Sequence, residues 1–154
     1  MLGLMAVPAE VAQRVLFARG NWAALQSSDG RHCQAVARSL RDAPKGAEQA
    51  RAAFSFDQRG SRRGEFHLRL SRAVRQGSNV MLSVGGQPFQ LVARGPEAWS
   101  IGPAQEAAII AAARFATGMR VEARDAGGRR FADRYLLAGA PSAIDAAAAA
   151  CARS

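Results

Sequence analysis

The chain has 154 residues, of which 49% are apolar, and 21 basic side chains outnumber 12 acidic ones to leave a formal charge of +9. A chain of this length buries roughly 70% of its unfolded surface, so a single domain with its own core is expected and intrinsic disorder is excluded. No apolar stretch reaches the 18 residues that a membrane-spanning helix needs.

In chain order, residues 1–14 open on the apolar run Met1–Ala9, where Val7-Pro8-Ala9 fits a small-residue cleavage site without a positive n-region before it. This reads as the remnant of a secretory signal, with an apolar N-terminal arm as the competing reading, and leaves 15–154 as one domain. Short strand-like runs at Trp22–Gln26 and His32–Ala37 flank the turn Ser27-Ser28-Asp29-Gly30. Residues 40–52, with Asp42, Pro44 and Gly46, read as a surface loop. Phe54 and Phe56, then Phe66, Leu68 and Leu70, alternate with polar neighbours at the period of a half-buried strand. The basic connection Arg59-Gly60-Ser61-Arg62-Arg63-Gly64 joins them. Val80–Val84, Gly85-Gly86 and Gln87–Ala93 predict a hairpin, because paired glycines supply the positive φ angles of a two-residue primed turn. Pro88 suggests an edge position there. A second hairpin is expected from Met119–Arg124 and Arg130–Leu137 around Asp125–Gly128. Helices are expected at about 103–117, opened by Pro103 and stopped by Gly118, and at about 141–151, through an Ala run. Strands dominate and no βαβ alternation appears, so the fold class is mainly β with antiparallel pairing.

Charge and composition narrow the chemistry. Twenty of the 21 basic residues are Arg, a bias that suits anion recognition but equally fits a GC-rich coding sequence. Seven of them fall within 51–75 against Asp57 and Glu65. Such a surface favours polyanionic partners, and Arg59, Arg62 and Arg63 are the candidate contacts, a solvated strand-and-loop face being the alternative. Trp99, after Gly95-Pro96, is either a partner contact or a core or edge-capping residue. His32 and His67 are the only histidines, and no spacing joins them to a thiol and an acid for nucleophilic catalysis or to a zinc ligand set. Asp125 reads as a turn residue, and Asp133 and Glu65 as exposed strand positions ion-paired with Arg. No P-loop or other Gly-rich phosphate cradle is present, so no catalytic residue, cofactor or metal is expected. Sequence-specific nucleic-acid reading is also not expected, since aromatics are 6% of the chain and the helix near 105–116 carries only Arg114. A cytosolic basic module binding nucleic acid non-specifically stays open. Cys33 and Cys151 are the only cysteines, with no C-x-x-C spacing, and form either one disulfide or two separate buried thiols.

The order of several short motifs resembles the invasion-associated locus B family of Gram-negative bacteria. These motifs are Asn21-Trp22, Cys33, Ser78-Asn79-Val80, Val84-Gly85-Gly86-Gln87-Pro88-Phe89, Gly95 with Ala98-Trp99, Gly118-Met119-Arg120-Val121, Gly128, Asp133–Gly139 and the Ala-rich end at Cys151. The resemblance implies an immunoglobulin-like β-sandwich exported to the periplasm or outer envelope. It implies that Cys33 and Cys151 pair. It also implies a non-enzymatic structural or binding role toward an envelope or host-surface component, such as anionic lipid or lipopolysaccharide.

Overall fold

The computed structural model describes residues 13–152. Among them, ten strands form a continuous antiparallel sheet that folds over on itself in the manner of a sandwich. The elements are β1 (Gln13–Arg19), β2 (Trp22–Ser27), β3 (His32–Arg38), β4 (Arg51–Asp57), β5 (Arg63–Arg69), β6 (Val80–Val84), β7 (Gln87–Arg94), β8 (Glu97–Trp99), α1 (Pro103–Ala113), β9 (Gly118–Arg124), β10 (Arg130–Leu136) and α2 (Ala140–Ala152). Their spatial order is β1-β2-β3-β4-β5-β8-β7-β6-β9-β10. The mainly β, antiparallel architecture with two helices expected from the sequence is the one observed.

The fold-over happens within β7. Its first half pairs with β6, from Val84↔Gln87 to Val80↔Leu91, while Val92, Ala93 and Arg94 pair with β8. Pro88 therefore lies on the stretch that β8 does not reach, a local edge where its missing N–H costs no ladder bond. The two margins of the sheet meet at the far side: Leu40 N–H donates to Arg134 O (2.8 Å), Trp22 Nε1 to Leu136 O (2.8 Å) and Asn21 N–H to Ala138 O (3.0 Å).

Alternation decides what lies inside. Phe54, Phe66, Leu68 and Leu70 face the core from β4, β5 and the residue after it, and Val80, Leu82, Val84, Phe89 and Leu91 face it from the β6–β7 hairpin. Trp22, Phe54 and Phe66 pack in sequence, with ring centroids 5.8 and 4.9 Å apart. Beside Trp22 and Phe54, the inward residues Ala24, Ala35, Ala37 and Ala52 of β2–β4 are small, and the flat surface they make receives α2 through Ala143, Ile144 and Ala147. Small residues on both sides let helix and sheet approach closely.

Three elements differ from expectation. β1 has no counterpart among the expected elements and begins at Gln13, two residues inside the segment expected as signal remnant or arm; it is an edge strand whose alternation is broken by a bulge between Val15 and Phe17. The signal-remnant reading of 1–14 otherwise falls outside the described residues. α1 ends at Ala113 rather than near 117. Phe115 N–H bonds back to Ala112 O, three residues away, and the tightened turn releases the chain before Gly118. β8 is only three residues long, too short to show a period.

Candidate functional site

Cys33 and Cys151 form a disulfide, with Cα atoms 5.9 Å apart and 118 residues between them in sequence. β3 turns Cys33 inward, and α2 carries Cys151 along β2 to meet it. His32 and Cys33 point to opposite sides of β3, the first exposed and the second buried. His67 lies on the outer face of β5, away from both sulfurs. Among the described residues no three His, Cys, Asp or Glu side chains converge as metal ligands.

Arg63 opens β5, and the β4–β5 connection carries Arg59 and Arg62. Asp57 organises it: Ser61 N–H donates to Oδ1 (2.9 Å), the Ser61 hydroxyl donates to the other carboxylate oxygen, and Gly60 N–H donates to Asp57 O (3.1 Å). The Ser61 hydroxyl, helped by backbone N–H groups, holds the Asp57 carboxyl below its ordinary pKa. Arg59, Arg62 and Arg63 are all exposed. Arg62 Nε sits 3.8 Å from Glu65, and Arg63 folds over Gly60, where an added Cβ would lie 3.2 Å from its Nη2. Gln58 N–H donates to Arg31 O (3.0 Å), which docks this loop onto the β2–β3 turn. Arg31, His32, Arg59 and Arg62 thereby line one shallow pocket of about 560 Å³. Two of the three predicted arginines meet there, and Arg31 joins them through a contact absent from any local sequence pattern.

Trp99 belongs to a different place. It pairs with His67 across β5–β8, four residues along β5 from Arg63, and packs on the imidazole with centroids 5.6 Å apart. The ring is half-buried. His67 Nε2 hydrogen-bonds to Glu97, which also accepts from Arg69 Nη1 (3.1 Å), and Arg69 reaches Glu48 (2.8 Å). Cross-strand register continues this row as Ala23–Val36–Ala53–His67–Trp99–Val92, an apolar strip over the outer face. Trp99 is thus a sheet-face residue, neither core nor edge cap.

Asp125 is a turn residue. Its Oδ1 accepts from Gly127 and Arg129 N–H (3.0 and 2.9 Å) and its Oδ2 from Arg72 (2.9 Å), which together hold the carboxyl below its usual range. Asp133, expected on an exposed face, is instead buried at 6% exposure and accepts from Ser71 N–H (2.9 Å). Phe131 and Tyr135 flank it at the period of a strand and both face inward, so Asp133 must as well. That alternation was the available signal. Burial, with the Asp133 charge beside it, pushes the Tyr135 phenol well above its ordinary pKa.

A larger groove, about 720 Å³, is assembled from separated segments and has no local sequence signature. Its floor is the outer face of β6, β9 and β10, with Met81, Glu122, Arg124 and Arg130, and its wall runs from Arg75 to Asn79. In comparisons with protein families, curated proteins and solved structures, none matched this chain.

Proposed function

We propose that this chain is a non-enzymatic exported module of the bacterial envelope, of the kind its resemblance to the invasion-associated locus B family implies, and that it works by binding an anionic surface component. The observation that carries this reading is the Cys33–Cys151 disulfide. Such bonds persist in oxidising compartments and are rare where glutathione and thioredoxin keep thiols reduced. The reading also fits a formal charge of +9 and a basic pocket built by two hairpin tips. A cytosolic nucleic-acid module would hold the same two cysteines as thiols.

The compartment is tested on protein taken from its native host, denatured without reductant. No free thiol and a chain that begins near Ala9 are expected; two free thiols with Met1 retained would remove the export reading and bring nucleic acid forward. The anionic contact is tested separately with lipopolysaccharide. Changing Arg59, Arg62 and Arg63 together to Ser is expected to weaken binding roughly five-fold per arginine at low salt. Affinity equal to that of the unaltered protein would remove this loop as the contact.

A further inference from the structure

The arginines of the sheet are not treated alike. On the face formed by β3, β4, β5 and β8, the cross-strand row Arg38–Arg51–Arg69 is interleaved with acids: Asp42 binds Arg38, and Glu48 and Glu97 bind Arg69. The outer face of β9–β10 is compensated only in part, by Glu122 on Arg120 and by the Gly128 carbonyl on Arg124. There Arg124 lies directly opposite Arg130, and Arg120 directly opposite Arg134. Directly opposed residues have Cβ atoms about 5 Å apart, a disfavoured placement for like charges. Glu122, 3.0 Å from Arg120, is the one acid between the pairs, and among the described residues neither Arg130 nor Arg134 has an acidic partner. Two guanidinium pairs stacked along a hairpin face match an array of anionic groups.

What adjoins these pairs selects the kind of anion. Gly118 and Leu136 are opposite each other one step beyond the Arg120–Arg134 pair on that face, and Leu136 is 44% exposed. Leu40, 51% exposed, bonds through its N–H to Arg134 O. Phe115, 91% exposed, lies two residues before Thr117, whose carbonyl accepts from Leu137 N–H. Three large apolar side chains thus stand in water at the end of a hairpin whose next residues are paired arginines. Duplex nucleic acid, with its bases stacked inside, offers a highly charged backbone and no apolar depth for three such side chains together. A bilayer offers phosphates at one depth and hydrocarbon just below.

We propose that this end of the β9–β10 hairpin docks on an anionic lipid bilayer, with Arg120 and Arg134 on lipid phosphates and Phe115 and Leu136 in the headgroup–acyl boundary. The inference depends on the envelope reading only for where such a bilayer is met. A free-thiol result would overturn that reading and leave the contact standing, whereas failed lipid binding would leave the disulfide and export intact.

The test is flotation of the oxidised full chain with vesicles of phosphatidylglycerol and phosphatidylcholine in equal parts, against vesicles of phosphatidylcholine alone. Binding to the anionic vesicles is expected. Arg120→Ser with Arg134→Ser should lower it roughly 25-fold, at about five-fold per arginine. Phe115→Ser, at a position that contributes nothing to the core, should lower it about ten-fold and do so equally in high salt. Unchanged thermal melts establish that the variants are folded. The proposal is overturned if the unaltered chain ignores anionic vesicles or binds both kinds equally. It is also overturned if the Arg variant binds normally, or if Phe115→Ser binds normally while duplex DNA competes fully for the arginines.

Discussion

Cys151→Ser is expected to lower the stability of the domain by about 5 kcal/mol, and reduction of the unaltered protein by nearly as much. The bond closes a loop of 118 residues, and the chain-entropy treatment assigns roughly 5 kcal/mol to a closure of that length at 25 °C. Serine adds a cost of its own, because residue 151 is 3% exposed and its hydroxyl would be buried on the apolar side of α2. Domains are commonly stable by only about 5–15 kcal/mol, so this one bond accounts for a large share. At this size, about 5 kcal/mol corresponds to a fall in Tm of roughly 10–20 °C. The measurement is a pair of calorimetric scans, oxidised and reduced, beside Cys33→Ala/Cys151→Ala. The double variant and the reduced protein should melt together. A drop smaller than about 5 °C would mean that α2 stays docked without the bond.

The elements that could be read from the sequence are those whose partners are close in the chain. In the β6–β7 hairpin, Val80, Leu82 and Val84 alternate, Gly85-Gly86 supplies φ angles of +57° and +90°, and the register follows from the turn. β1 escaped because it is an edge strand: Val15 is 61% exposed and the bulge before Phe17 shifts the period. The His67–Trp99 pairing joins residues from separate hairpins, and no local pattern encodes it.

The candidate site divides in the same way. Arg59, Arg62 and Arg63 are legible because they fall within five residues of sequence, yet Arg31 reaches the pocket of Arg59 and Arg62 from another turn. The opposed arginine pairs of β9–β10 were legible in principle. Once the turn is closed between Arg124 and Arg130, counting back two further pairs on the same face sets Arg120 against Arg134. Charge density along the chain does not show these pairs, because strand pairing redistributes the charge. Two cysteines without C-x-x-C spacing admit one bond without requiring it, and the family resemblance adds to the case for Cys33–Cys151.

Gly139→Ala is expected to destabilise the protein by about 3–5 kcal/mol, although it adds a single methyl group. Gly139 has φ +90°, and a Cβ built there would stand 2.1 Å from Arg19 O and 3.1 Å from Arg19 C. Facing it, Gly20 has φ +63°, and its Cβ would lie 2.4 Å from Ala138 O. Backbone meets backbone here, and Asn21 N–H donates to Ala138 O at 3.0 Å through the gap. Two costs combine in the variant: roughly 1–3 kcal/mol for holding an L-residue at such a φ, and roughly 1–3 kcal/mol for overpacking against atoms that cannot rotate away. Gly86→Ala separates them. It has the same φ of +90° but nothing within 4 Å of its Cβ position, so it should show the conformational cost alone. Urea unfolding of the two variants measures the difference, and equal losses would refute the close contact. The position explains why the contact matters to the whole fold. Gly139 O accepts from Ala143 N–H in the first turn of α2, while Cys151 at the other end is bonded to β3. The helix is thus fixed at both ends of β2, by backbone contact at its start and by sulfur near its finish. Freeing either end lets α2 lift from Ala24, Ala35 and Ala52, which are too small to form a core with the facing sheet by themselves. Gly139→Ala and Cys151→Ser together should therefore cost less than the sum of their separate effects, because the second change acts on a helix that the first has already released.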